Sequence, residues 1–203
     1  FPATVSKFSF LFLKKVKIME IVRCSWSEKD NLYRKYHDQE WGKPVYGDET
    51  IFEFLVLESF QAGLSWYTIL KKRENFKKAF DNYDYRKIAN YSQEKIDELL
   101  LDAGIIRNKL KVFATISNAQ KFMEVQKEFG TFSKCIWSFV DGKPIDNQPK
   151  SLKEVRATTE ISDALAKDLK KRGFKFLGTT VVYAYMQATG MVNDHVMDCW
   201  TRK

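Results

Sequence analysis

The chain has 203 residues, of which 44% are hydrophobic and 30% charged, with a formal net charge of +8. This composition is globular rather than disordered, and the length allows a core that needs no disulfide scaffold. No apolar run approaches the ~20 residues of a membrane-spanning helix, and low counts of Gly (9) and Pro (4) disfavour a turn-rich β-sandwich. Residues 1–18 read as an extension, tag or read-through ahead of Met19, with a basic, acid-free transit segment as the second reading. Three cysteines, an odd number, argue against a secreted disulfide framework and point to a reducing, cytoplasmic setting.

In chain order, Asp48 is expected to cap a helix running to Glu58, with Ile51, Phe52 and Leu55 as its apolar positions. Ser65–Phe80 reads as a helix with a basic outer face of Lys71, Lys72, Arg73, Lys77 and Lys78. Ser92 caps a further helix, Gly104 breaks it, and another begins near Arg107 with helical spacing from Leu110 to Met123. Phe132–Val140 is apolar and ends at the turn signal Asp141-Gly142-Lys143-Pro144. Ser162 is expected to start an amphipathic helix that Gly173 stops, and Gly178–Ala188 reads as a buried helix. No alternating strand pattern appears, so the predicted class is all-α.

Three features carry chemistry. The chain has five His or Cys residues, and His195 and Cys199 stand four apart, which on a helix would put both on one face. Cys24 and His37 would complete a closed tetrahedral shell of the structural zinc type; two buried thiols and two ordinary histidines are the plainer alternative. Cys135 lies among Phe132, Ile136 and Trp137 and reads as a core thiol. Second, the stretch from Leu99 to Lys109 reads as a helix, a glycine hairpin and a basic helix, an arrangement whose amides can hold a phosphate; an ordinary glycine-capped turn is its alternative. Third, Trp26, Tyr33, Tyr36, Trp41 and Trp66 cluster around Glu58. Aromatic faces stack on a nucleobase, most strongly on a cationic one, and a carboxylate among them accepts from an exocyclic amine. The alternative is an aromatic core with Glu58 on a solvated face.

Six ordered blocks then bear a family resemblance: Tyr36-His37-Asp38-Gln39-Glu40-Trp41-Gly42, Gln61-Ala62-Gly63-Leu64-Ser65-Trp66, Leu70-Lys71-Lys72-Arg73-Glu74-Asn75, Trp137-Ser138-Phe139-Val140, Lys171-Arg172-Gly173-Phe174-Lys175-Phe176 and Val192-Asn193-Asp194-His195-Val196. From about Glu20 to Cys199 the chain closely resembles the bacterial 3-methyladenine DNA glycosylase I family. The resemblance implies the all-α fold of the helix-hairpin-helix glycosylase superfamily, and one structural zinc held by Cys24, His37, His195 and Cys199. It further implies that Glu58 reads the base edge and that Trp26, Tyr33, Tyr36, Trp41 and Trp66 stack the flipped base. Gly63 and Leu64 would fill the gap left in the duplex, and Gly104, Ile105, Arg107 and Lys109 would form the phosphate-binding hairpin.

By the same resemblance the expected substrate is double-stranded DNA carrying alkylated adenine and the product is free 3-methyladenine; no lysine stands where a lyase nucleophile would be expected, so the enzyme reads as a monofunctional N-glycosyl hydrolase without lyase activity, and a monomer is expected. A zinc-stabilised module that binds damaged DNA without catalysis is the competing reading. Residues 19–50 with 130–203 would form the zinc-bearing lobe, and 51–129 the helix-hairpin-helix lobe. Asn108, Tyr67 and Trp200 depart from the family pattern. Downstream of the expected hairpin, Glu124 and Glu128 appear but no aspartate suited to water activation.

Overall fold

The structure is a computed structural model and describes residues 21–202; the 1–18 extension and the Met19 start lie outside the described residues. Helix α2 (Asp48–Gln61) is the central element, with every residue but Glu53 buried from Ile51 to Phe60. A helix apolar on nearly all sides belongs in the middle of a core. It packs against α3 (Trp66–Ala79), α6 (Lys109–Phe129) and α9 (Thr179–Ala188). The remaining helices are α1 (Asn31–Gln39), α4 (Tyr85–Ile88), α5 (Gln93–Leu101), α7 (Phe132–Trp137) and α8 (Glu160–Lys171). Most begin at a side-chain cap: Asp30, Ser65, Asp84, Ser92, Asn108, Thr131 and Thr159 each accept an amide of the first turn. Among the described residues no helix is long and apolar enough to cross a membrane.

The all-α expectation holds, with one addition. Strands β1 (Ile145–Asp146) and β2 (Val192–Asn193) pair in parallel over two residues each, too short to leave an alternating pattern. Two helix starts differ from the expected ones. Gly47, not Asp48, occupies the cap position of α2. The Asp48 carboxylate instead accepts the amides of Phe132 and Ser133, both at 2.9 Å, and the Gln126 side chain at 2.6 Å. It therefore joins the start of α2 to the start of α7 and the end of α6, where a carboxylate also suits the helix dipole. Helix α8 starts at Glu160, because Thr159 and Ser162 form a reciprocal capping box in which Ser162 is the third helical residue.

Candidate active site and metal centre

Beside α2 lies a cavity of about 390 Å³. All six residues expected to read the base line it: Trp26 from a short 3-10 turn, Tyr33 and Tyr36 from α1, Trp41 just beyond α1, Glu58 from α2 and Trp66 from the first turn of α3. The rings brace one another edge-on or tilted, with centroids 4.9 Å apart for Trp26–Tyr33, 5.0 Å for Trp26–Trp41 and 5.2 Å for Tyr36–Trp66. Packed this way, they hold a slot open rather than collapsing into it.

Three buried polar atoms have no hydrogen-bond partner among the described residues: Glu58 Oε2, Gln61 Oε1 and Trp66 Nε1. All three belong to residues lining the cavity. Leaving such an atom unmet costs about 1–3 kcal/mol, so the cavity is built for a ligand with complementary donors and acceptors. Glu58 is 3% exposed, and burial pushes its carboxyl up to about 8. With no cation beside it the carboxyl therefore stays mostly protonated at neutral pH, and a cation would draw the proton off. Gln61, Leu152, Val155, Arg156, Ala157, Ala184 and Gln187 complete the lining, and the sequence assigns none of them to the site. Gln61 was detectable, since it stands three residues after Glu58 and so shares its helix face. The wall from Leu152 to Ala157 carries no motif.

Cys24, His37, His195 and Cys199 converge, all buried, with their ligating atoms within 4.8 Å of one another. The contacts are 3.2 Å for His37 Nε2–His195 Nδ1, 3.5 Å from Cys199 Sγ to each imidazole, and 3.7 Å for Cys24 Sγ–His195 Nδ1. A tetrahedral shell with metal bonds of 2.0–2.3 Å has edges of roughly 3.3–3.8 Å. The outer nitrogens fix the tautomers. His37 Nδ1 donates to the Asp38 carboxylate at 2.8 Å, and His195 Nε2 donates to the Trp41 carbonyl at 3.0 Å. Both inner nitrogens therefore turn lone pairs toward each other, an arrangement that a cation relieves. Burial lowers His195 to about 4, which keeps it in the neutral, ligating form. Burial also raises the Cys24 thiol to about 12, so its ionisation calls for positive charge in the cluster.

The expected one-face helix of His195 and Cys199 is not what unites them. The segment after β2 runs without helix through 194–199, and a turn at Met197-Asp198 brings the two side chains together. Trp200, one of the departures, donates its indole N–H to Asp38 at 3.2 Å and so braces the carboxylate behind His37. Cys135 is buried in α7, outside the cluster.

The sequence profile of the methyladenine glycosylase family matches residues 26–203. The chain belongs to that family. It is 48% identical over 177 residues to DNA-3-methyladenine glycosylase 1 of Escherichia coli K12, covering 87% of this chain and 95% of that protein. It is 46% identical to DNA-3-methyladenine glycosylase of Haemophilus influenzae, covering 87% and 96% respectively. A solved variant of 3-methyladenine DNA glycosylase I in complex with 3-methyladenine superposes with a TM-score of 0.86 at 37% identity, over 89% of this chain and 97% of that one.

In this methyladenine glycosylase the surface around the cavity differs in part from expectation. Gly63 and Leu64 occupy the loop between Gln61 and Trp66, with Gly63 at φ +81° and Leu64 41% exposed. Lys111, a buried lysine of α6 that the sequence reading passed over, holds that loop: its ammonium donates to the carbonyls of Phe60 and Ala62, both at 2.7 Å. The hairpin between α5 and α6 turns two expected phosphate donors inward. The Gly104 amide donates to Asp102 Oδ1 at 2.6 Å, and Ile105 is buried with its amide on the Asp102 carbonyl at 3.4 Å. A Cβ at Gly104 would stand 2.8 Å from Asp102 Oδ1 and 3.2 Å from Asn75, so a side chain there would push aside the carboxylate that holds its amide. Arg107 and Lys109 are exposed on it.

The basic face of α3 is also narrower than expected. Arg73 is tied to Glu40 at 2.5 Å and Glu53 at 2.7 Å, and Lys72 donates to the carbonyls of Ala103 and Gly104. A second hairpin joins α8 to α9, with Gly173 at φ +95° and Phe176 at φ +59°. Asn118 of α6 clamps it by bonding both the amide and the carbonyl of Lys175. Lys170, Lys171 and Lys175 are exposed around it, and no side chain caps α9. In the sequence Gly173 reads only as a helix stop; the lysines around it are the available signal.

Proposed function

We propose that this protein is a DNA-3-methyladenine glycosylase that hydrolyses the N-glycosidic bond of 3-methyladenine flipped from duplex DNA. The observation that carries the reading is the aromatic cavity with three unmet buried polar atoms, one of them on Glu58. A purine alkylated on N3 is cationic, so it stacks favourably on Trp and Tyr faces and attracts a carboxylate. As it enters, Glu58 gives up its proton and accepts from the exocyclic amine, gaining both a hydrogen bond and an ion pair. Trp26, Tyr33, Tyr36, Trp41 and Trp66 shape the slot and exclude water. The bond then breaks with its electron pair passing to the ring, which leaves as neutral 3-methyladenine. Water adds to the sugar carbon and loses its proton. Because the lesion is already a good leaving group, most of the protein's task is extrusion and selection.

Gly63 and Leu64 would fill the gap in the duplex, while Arg107 and Lys109 would contact its phosphates, with affinity that falls with salt. Lys111 spends two of its donors on carbonyls and does not line the cavity, which supports a hydrolase without lyase activity. Cys24, His37, His195 and Cys199 would hold one zinc. Four protein ligands leave no open position, so the metal would cross-link residue 24 to residue 199 rather than act on water. The two-lobe division at about residues 50 and 130 follows the same reading. All three cysteines are free, and two of them would be needed as thiolates, which supports work in a reducing cytoplasm; a monomer is proposed with it.

The test is chromatography of bases released from methylated duplex DNA. The parent is expected to release 3-methyladenine, and Glu58→Gln far less, while both bind undamaged duplex alike. Binding of methylated duplex with no release of base would instead make the protein a damage-binding module.

A further inference from the structure

The segment from Leu152 to Ala157 walls one side of the cavity, and it carries a single charge into the lining, Arg156. The chain has eight arginines within its described residues. Five are ion-paired: Arg23 with Asp38, Arg34 with Glu28, Arg73 with Glu40 and Glu53, Arg172 with Asp168 and Glu128, and Arg202 with Asp146. Arg86 lies over the Tyr85 ring, 4.6 Å from its centroid. Only Arg107 and Arg156 have neither an ion pair, a hydrogen bond nor a ring partner among the described residues.

Arg156 is exposed and borders the base cavity, and none of the acids near it, Glu154, Glu160 and Asp194, forms an ion pair with it. Asp194, 1% exposed, accepts from Tyr183, Asn147 and Gln187 at 2.7–2.8 Å. Glu154 accepts the Lys150 amide at 2.8 Å. A guanidinium would repel a cationic base, so the base is not its partner. A nucleotide whose base fills the cavity keeps its sugar, and a phosphodiester on each side of it, at the mouth. There Arg156 offers a planar, permanently charged donor fork suited to a phosphate.

We propose that Arg156 binds a phosphodiester flanking the flipped nucleotide, a contact made only when a base occupies the cavity. It is thus a substrate-binding residue that favours the extruded state over the stacked duplex. The inference rests on the glycosylase reading.

The experiment measures single-turnover release of 3-methyladenine from methylated duplex between 50 and 200 mM salt, with binding of free 3-methyladenine followed separately by tryptophan fluorescence. For Arg156→Gln the half-saturating enzyme concentration is expected to rise about tenfold, as loss of one charged hydrogen bond would give. The slope of log affinity against log salt should fall by about 1, the share of one phosphate. Affinity for free 3-methyladenine and for undamaged duplex should be unchanged. Arg156→Lys should keep the salt slope. Unchanged half-saturation and slope in Arg156→Gln, beside an active parent, would overturn the inference while leaving the glycosylase reading intact. So would an equal loss of affinity for free base or for undamaged duplex. A parent that releases no base would overturn both.

Discussion

Between pH 5 and pH 8 the parent protein is expected to lose far more thermal stability than Glu58→Gln. The Glu58 carboxyl is raised from an ordinary 4.5 to about 8 by burial alone. A group raised in the folded state contributes its full stability below pH 4.5 and loses it as the pH climbs through 8, because the unfolded chain releases the proton and the fold does not. Each pH unit inside that window is worth about 1.4 kcal/mol, so the span from pH 5 to pH 8 amounts to roughly 3–4 kcal/mol. For a chain of this size 1 kcal/mol moves the melting temperature by about 2–4 °C, which predicts a fall of roughly 10 °C in the parent beyond that in the variant. Glutamine keeps the shape and has no proton to lose in this range. The remaining titrating groups, the cluster imidazoles included, are common to both proteins and cancel in the difference. The assay is calorimetry of both proteins at fixed ionic strength and half-unit pH steps. Parallel curves, within about 2 °C across the range, would show that the carboxyl is solvated and that its burial is not as described.

Elemental analysis is expected to find one zinc per chain, and Cys24→Ala should lower the melting temperature more than it lowers turnover of the protein that remains folded. Zinc-free folded parent would refute the metal assignment. Cys135, which burial raises to about 11, has no part in the cluster, so Cys135→Ala should keep metal and activity at a packing cost of about 1 kcal/mol; loss of zinc on that change would contradict its position. Lys111→Met should cost about 2–3 kcal/mol, since it strands the carbonyls of Phe60 and Ala62. It should also slow base release more than it weakens binding of free 3-methyladenine, because the loop it frees carries Gly63 and Leu64; equal effects on both readouts would argue that Lys111 only stabilises the core.

Much of this architecture was legible because it is local. Ser65, Ser92 and Gly173 mark helix ends through bonds within a few residues, and the aromatic cluster surrounds Glu58 because α1, the turn before it and α2 are near in sequence. What sequence could not convey was whom each polar group answers. Asp48 stands where a cap is expected, yet its partners lie more than 75 residues away in α6 and α7. His195 and Cys199 were the right pair for the wrong reason: their four-residue spacing works through a turn, and only His37 and Cys24, brought from the other end of the chain, make it a cluster. Arg73 and Arg156 put the difficulty most plainly. In the sequence both are basic residues, and Arg73, beside Lys71 and Lys72, looks the better ligand for a polyanion. In the fold two carboxylates neutralise Arg73, while Arg156, in a stretch without motif or periodicity, borders the cavity with no ion pair. Formal charge is a property of the residue, but the charge available to a substrate is what remains after long-range pairing, and that pairing is set by packing.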